Sequence, residues 1–198
     1  MFATVKGLLA IAWLVTIAVV LRGWMDFEHS PGRNVRPQAQ WPVSTQLRLD
    51  RDHGTLVVFL HPFCPCSRAT LERLEQVLSD SSKKPTCCFM IAPVASSVEI
   101  DARSANLRLA KAMSPSRTFI DGNESEARRF DPTTSGHVFY YDAGGSLRFS
   151  GGVLVERGSN QPNTFAEALY RAINNPTYPV VHTPVFGCSL VGASIERP

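Results

Sequence analysis

The sequence predicts an α/β fold, a mixed sheet with helices on both faces preceded by one apolar helix, and three observations predict it. Short apolar runs alternate with stretches of helical periodicity from Thr55 to Asn174. The last two strands are joined by Ala143-Gly144-Gly145 alone, which makes them a hairpin, whereas the earlier strands are joined through helices. From Met1 to Leu21 the only charged side chain is that of Lys6, so the first segment has no polar stripe.

Each element has a local reason. Thr55-Leu-Val-Val-Phe-Leu60 is apolar, β-branched and short, the pattern of a buried strand. Ser67 to Asp80 is an amphipathic helix, with Leu71, Leu74, Val77 and Leu78 on one face and Glu72, Arg73 and Glu75 on the other. Cys88 to Ala92 reads as a second strand, Ala102 to Met113 as a helix, Arg117 to Asp121 as a third strand and Glu124 to Phe130 as a short helix. His137 to Asp142 and Ser146 to Ser150 form the hairpin. Thr164-x-x-Glu167 predicts a capping box opening a last helix before Pro176.

With 198 residues and 44% hydrophobic content, the chain accommodates one globular core with an anchor or tail. We divide it into an anchor at 1–24, a spacer at 25–51 containing Pro31, Pro37 and Pro42, a domain at 52–175 and a tail at 176–198. The anchor needs about 20 residues to span a bilayer, so Met1 to Val5 or Gly23-Trp24 must add to the uncharged stretch from Gly7 to Leu21. An uncleaved anchor is expected over a signal peptide, because no Ala-x-Ala-like site follows the apolar core. Basic residues flank both sides (Lys6 before; Arg22, Arg33 and Arg36 after), so the positive-inside rule leaves the orientation open; an extracytoplasmic domain is the expectation. The net charge of +3 comes from 20 basic and 17 acidic residues without a run of one sign, which excludes nucleic acid as the expected partner.

The chemistry-bearing residues are cysteines: Cys64, Cys66, Cys87, Cys88 and Cys188. Their odd number prevents complete internal pairing. Cys64 falls between a buried strand and a helix, where unpaired backbone N–H groups and the helix dipole stabilise a thiolate. A thiolate attacks disulfides and binds soft metals. Cys66, one residue beyond Pro65, is expected to resolve the mixed disulfide, although a ring so small is strained and easily reduced. Otherwise Cys64 acts as a single attacking thiol. The alternative is a Cu(I) site in which Cys64 and Cys66, with His61, supply soft donors. Core packing is the competing reading for these thiols and the favoured one for Cys87 and Cys88, with Cys188 a candidate partner of either. His53, His137 and His182 lack ligand spacing and are read as structural or surface groups.

His61-Pro-Phe-Cys-Pro-Cys-Ser-Arg-Ala-Thr70, Thr134-Ser-Gly-His137, Tyr141 to Gly152 and Val185-Phe-Gly-Cys188 resemble the RedB-type thioredoxin-like family. The order of elements is similar to the membrane-anchored thiol reductases of cytochrome maturation and the peroxiredoxin-like branch of the thioredoxin superfamily. That resemblance implies a thioredoxin-like fold and thiol-disulfide exchange on extracytoplasmic protein thiols, with Cys64 and Cys66 catalytic and no cofactor. The chain departs from the pattern in three places. Its two cysteines are separated by one residue rather than two. The segment Thr133-Thr-Ser-Gly136 stands where thioredoxins carry a cis-proline, so Ser135 and Gly136 become the substrate-facing loop and the glycine is expected to leave the thiol more open. Ser159 stands where the family carries a histidine. A peroxidase reading is weakened because no peroxide-binding arginine and threonine surround Cys64.

Overall fold

The computed structural model describes residues 2–33, 37–92, 104–114 and 117–190. It forms two units, Met1–Ser30 and Pro31–Pro198. The first contains α1 (Phe2–Glu28), which runs past the expected end at Trp24 through Asp26. Lys6–Glu28 is long and apolar enough to cross a membrane.

The second unit is built on one six-stranded sheet with β1 (Thr55–Leu60), β2 (Thr86–Ile91), β3 (Thr118–Ile120), β4 (His137–Tyr141), β5 (Leu147–Gly151) and β6 (Val181–His182) in the order β3-β2-β1-β4-β5-β6. β1, β2 and β3 are mutually parallel, β4 runs antiparallel to β1 and β5, and β6 lies parallel to β5. The mixed sheet is therefore as expected. The helices are α2 (Pro65–Asp80), α3 (Ala105–Met113), α4 (Ser125–Phe130) and α5 (Thr164–Asn174). Residues 101–103, where the third helix was expected to begin, lie outside the described residues.

Strand alternation divides the core. Leu56, Val58 and Leu60 of β1, with Phe89 and Ile91 of β2, join Leu71 and Leu74 of α2, Leu107 of α3 and Leu169 of α5. Val57 and Phe59, with Cys88 and Met90, turn the other way onto Phe130 of α4, Phe139 and Tyr141. Both faces are thus covered, and β1 is buried along its whole length.

The structure corrects three boundaries. The stretch read as a spacer is largely part of the domain: Trp41 packs edge-on against Tyr141 and Phe130 at 5.3 and 5.8 Å, and Leu47 and Leu49 join the same cluster. The stretch read as a tail supplies β6 and a further segment that pairs with the 133–136 loop through an antiparallel bridge between Thr134 and Ser189. The last helix is capped by Asn163 rather than by Thr164. Its side chain accepts hydrogen bonds from the amides of Phe165 and Ala166, both at 3.0 Å. Asn163→Ala is expected to cost about 1 kcal/mol, a fall of roughly 2–4 °C in the melting midpoint of the full chain in detergent, followed by circular dichroism.

Candidate functional site

Cys64 ends the turn leaving β1. It is the N-cap residue of α2, with φ −85° and ψ 126°, and Pro65 follows at the first helical position. Proline suits that position because the amide it lacks would be unpaired there anyway. The turn is held from three directions. The Ser67 hydroxyl accepts the His61 amide at 3.0 Å. The Ser104 hydroxyl donates to the Pro62 carbonyl at 2.8 Å. The Asn106 side-chain amide donates to the carbonyls of His61 and Cys64, each at 3.0 Å. Asn106 carries no sequence signal of this role, because it sits on a helix 40-odd residues away in the chain.

Cys64 is 2% exposed and Cys66 6%, and both belong to the α2-facing core. Phe63, half exposed, stands at the turn's outer edge. Facing them is the 133–136 loop. The Ser135 hydroxyl donates to the Cys64 sulfur at 3.3 Å. The Gly136 amide donates to the Phe59 carbonyl at 2.7 Å. No peptide bond among the described residues is cis, and Gly136 adopts φ +86°. The glycine does not open the site as expected: a Cβ there would meet Thr70 Oγ1 at 2.7 Å, so the space is already filled by α2.

Cys188 lies here as well, not beside Cys87 or Cys88. Its amide donates to the Ser135 hydroxyl at 3.0 Å, its carbonyl accepts the Ser135 amide at 2.8 Å, and Thr134 and Ser189 form an antiparallel bridge. All five cysteines are free thiols. Burial pushes Cys87 up to about 12, which keeps it an unreactive packing thiol. Cys88 is buried in the opposite core layer, its thiol likewise pushed up by burial.

The environment separates the three clustered thiols. The Cys64 thiol is brought down to about 4, first by the hydrogen bond from Cys66 and then, against the cost of burial, by Cys188 and Ser135. The Ser67 amide contributes least, as the sulfur does not make a full capping bond to it. The Cys66 thiol is pushed far up, because it donates to the Cys64 thiolate and is itself buried. Cys188 is pushed up to about 11 by burial and by the same thiolate. One anion with two donors is the result.

His61 does not join the sulfurs. Its Nδ1 accepts the Phe63 amide at 3.2 Å, which makes it part of the turn. Among the described residues, three potential ligand atoms come within 4.8 Å of one another only at Asp50, Asp52 and His53. There the Asp50 carboxylate is already taken by Thr86 Oγ1 and by the amides of Asp52 and His53. His137 is buried, bonded through Nε2 to Ser150 Oγ at 2.8 Å and stacked on Phe139. Burial brings it down to about 3, so it is a neutral structural group.

Solved structures share this architecture. A hypothetical protein of Sinorhizobium meliloti 1021 matches with a TM-score of 0.57 at 14% identity, over 81% of this chain and 97% of that one. An uncharacterised conserved protein of Geobacillus kaustophilus matches with a TM-score of 0.51 at 17% identity, over 82% and 92% of the two chains. The exposed lipoprotein thioredoxin of Streptococcus pneumoniae strain TIGR4 matches with a TM-score of 0.41 at 9% identity, over 62% and 84%. No family model and no curated protein matches the chain. The mixed sheet with helices on both faces is the architecture the sequence predicts, with cysteines at the turn between a central strand and the helix that follows it.

Proposed function

We propose that the chain is a membrane-tethered thiol-disulfide oxidoreductase of the RedB-type thioredoxin-like family, acting on extracytoplasmic protein thiols through Cys64 and Cys66. The observation that carries this reading is the Cys64 sulfur, placed at the N-terminus of α2 and receiving the Ser135 hydroxyl at 3.3 Å, in surroundings that bring its thiol well below the ordinary value. A thiolate so placed attacks one sulfur of a substrate disulfide and releases the other as a thiolate. Cys66 keeps its proton and donates to the Cys64 anion, which lowers that anion's energy as a leaving group when the enzyme is oxidised. Ser135 and Gly136 form the loop against which the substrate chain lies, and α1 is the tether that keeps the site near the membrane. The chemistry uses protein sulfur throughout and calls for no bound cofactor. A Cu(I) reading would first have to release His61 Nδ1 from the Phe63 amide.

The test is turnover on a model protein disulfide, such as insulin with a dithiol reductant, by the full chain in detergent. Cys64→Ser is expected to reduce turnover to the uncatalysed rate. Turnover unchanged by that substitution removes the exchange reading.

A further inference from the structure

A disulfide forms only between sulfurs whose Cβ vectors turn toward each other. Cys64 and Cys66 stand one residue apart at the start of the same helix, so a bridge between them closes a small and strained ring. Cys66 is moreover buried in the core facing α2.

Cys188 differs on each point. It is exposed and comes to the site from a separate segment of chain, free of the small-ring constraint: its amide donates to the Ser135 hydroxyl at 3.0 Å, and that hydroxyl donates to the Cys64 sulfur at 3.3 Å. That segment is clamped along the active-site loop: the Leu190 amide donates to the Thr133 carbonyl at 3.0 Å, and Ser135 exchanges hydrogen bonds with Cys188 through amide, hydroxyl and carbonyl. Gly187 permits this approach, since a Cβ there would meet the Ser135 carbonyl oxygen at 2.1 Å. Arg157 donates to the Gly187 carbonyl and places its charge near the Cys188 sulfur, which favours the ionised thiol. The three sulfurs do not form an ion cage, because no set of three ligand atoms that includes a cysteine lies within 4.8 Å among the described residues.

We infer that Cys188 is the resolving thiol, and that the oxidised state of the site is a Cys64–Cys188 disulfide fastening the C-terminal segment over the turn. The inference rests on the exchange reading and adds a catalytic residue to it. The Cys64 thiolate attacks a substrate disulfide, forming a mixed disulfide and expelling the first substrate thiolate. The Cys188 thiol then attacks the Cys64 sulfur, and the bond to the substrate breaks. The second substrate thiolate leaves and takes up the proton lost by Cys188. The substrate disulfide gains two electrons and the Cys64–Cys188 pair loses two, to be restored by a dithiol donor.

The experiment maps the disulfide directly. The full chain in detergent is reduced, given one equivalent of oxidised glutathione, acid-quenched, digested and analysed by mass spectrometry. A Cys64–Cys188 peptide pair is expected in the wild type and also in Cys66→Ser. Cys188→Ser is expected to retain the first exchange, accumulating glutathione on Cys64, while steady-state turnover on insulin falls at least tenfold. A Cys64–Cys66 pair in the wild type, with Cys188→Ser turning over at the wild-type rate, overturns this inference and leaves the exchange reading intact. Wild-type turnover in Cys64→Ser overturns both.

Discussion

Alkylation of Cys64 by iodoacetamide, followed residue by residue with mass spectrometry on the reduced full chain, is expected to be flat from about pH 5.5 to pH 8. Alkylation of Cys188 is expected to rise about tenfold per pH unit over the same range. The contrast follows from where the two thiols titrate, Cys64 near 4 and Cys188 near 11. The plateau is more diagnostic than its height. At pH 6 an ordinary thiol is roughly 0.3% ionised whereas Cys64 is almost fully ionised, but a thiolate of low pKa is a weaker nucleophile, which returns much of that factor of hundreds. Cys66→Ala removes the largest cause of the depression. A hydrogen bond to a charged group contributes about 1.5–3 kcal/mol and one pKa unit corresponds to about 1.4, so the onset of the plateau should move up by roughly 1–2 pH units. An unmoved onset would mean that helix and loop, not Cys66, hold the thiolate. The sign for stability is equally definite. The folded value lies below the ordinary thiol value of 9.0, so this contribution to the reduced protein is complete above pH 9 and is lost as pH falls through about 4.

The parts of this site that the sequence made legible are those with a local pattern. An apolar run followed by an amphipathic helix places Cys64 at the strand-to-helix turn whatever the rest of the chain does, and β1 and α2 lie where the periodicity puts them. Cys188 has no such pattern. Its position arises from antiparallel pairing between the 188–190 segment and a loop over 50 residues earlier, a contact without periodicity. Gly187 is the residue that could have signalled it, as a glycine required by close approach of two backbones. The 37–51 stretch was hidden for a related reason: its prolines and polar residues outnumber Trp41, Leu47 and Leu49, yet those three carry its packing. Gly136 shows the opposite error. Absence of a side chain was read as open space, whereas Thr70 had already filled it.

Asn106→Ala is expected to cost about 1–3 kcal/mol and to lower the melting midpoint of the reduced full chain by roughly 2–12 °C, the largest single effect on stability foreseen outside the apolar core. The residue is 4% exposed and its amide donates to two carbonyls of the active-site turn, those of His61 and Cys64. Truncation takes one donor from each of the two carbonyls, which keep the Cys64 and Arg68 amides at 3.3 and 3.4 Å, and each hydrogen bond lost contributes about 0.5–1.5 kcal/mol. Asn106→Leu separates this cause from loss of volume. Leucine fills the space but donates nothing, so it should melt as low as the alanine variant. Recovery of the midpoint by leucine would assign the cost to packing instead. The same substitution bears on chemistry, because the two carbonyls bracket the turn that aims Cys64 at Ser135. A turn released from Asn106 lets the sulfur drift from its donors, so the alkylation plateau of Cys64 should begin at higher pH in both variants. Asn106 is therefore a positioning residue, and a lower melting midpoint with an unmoved plateau would confine its role to stability.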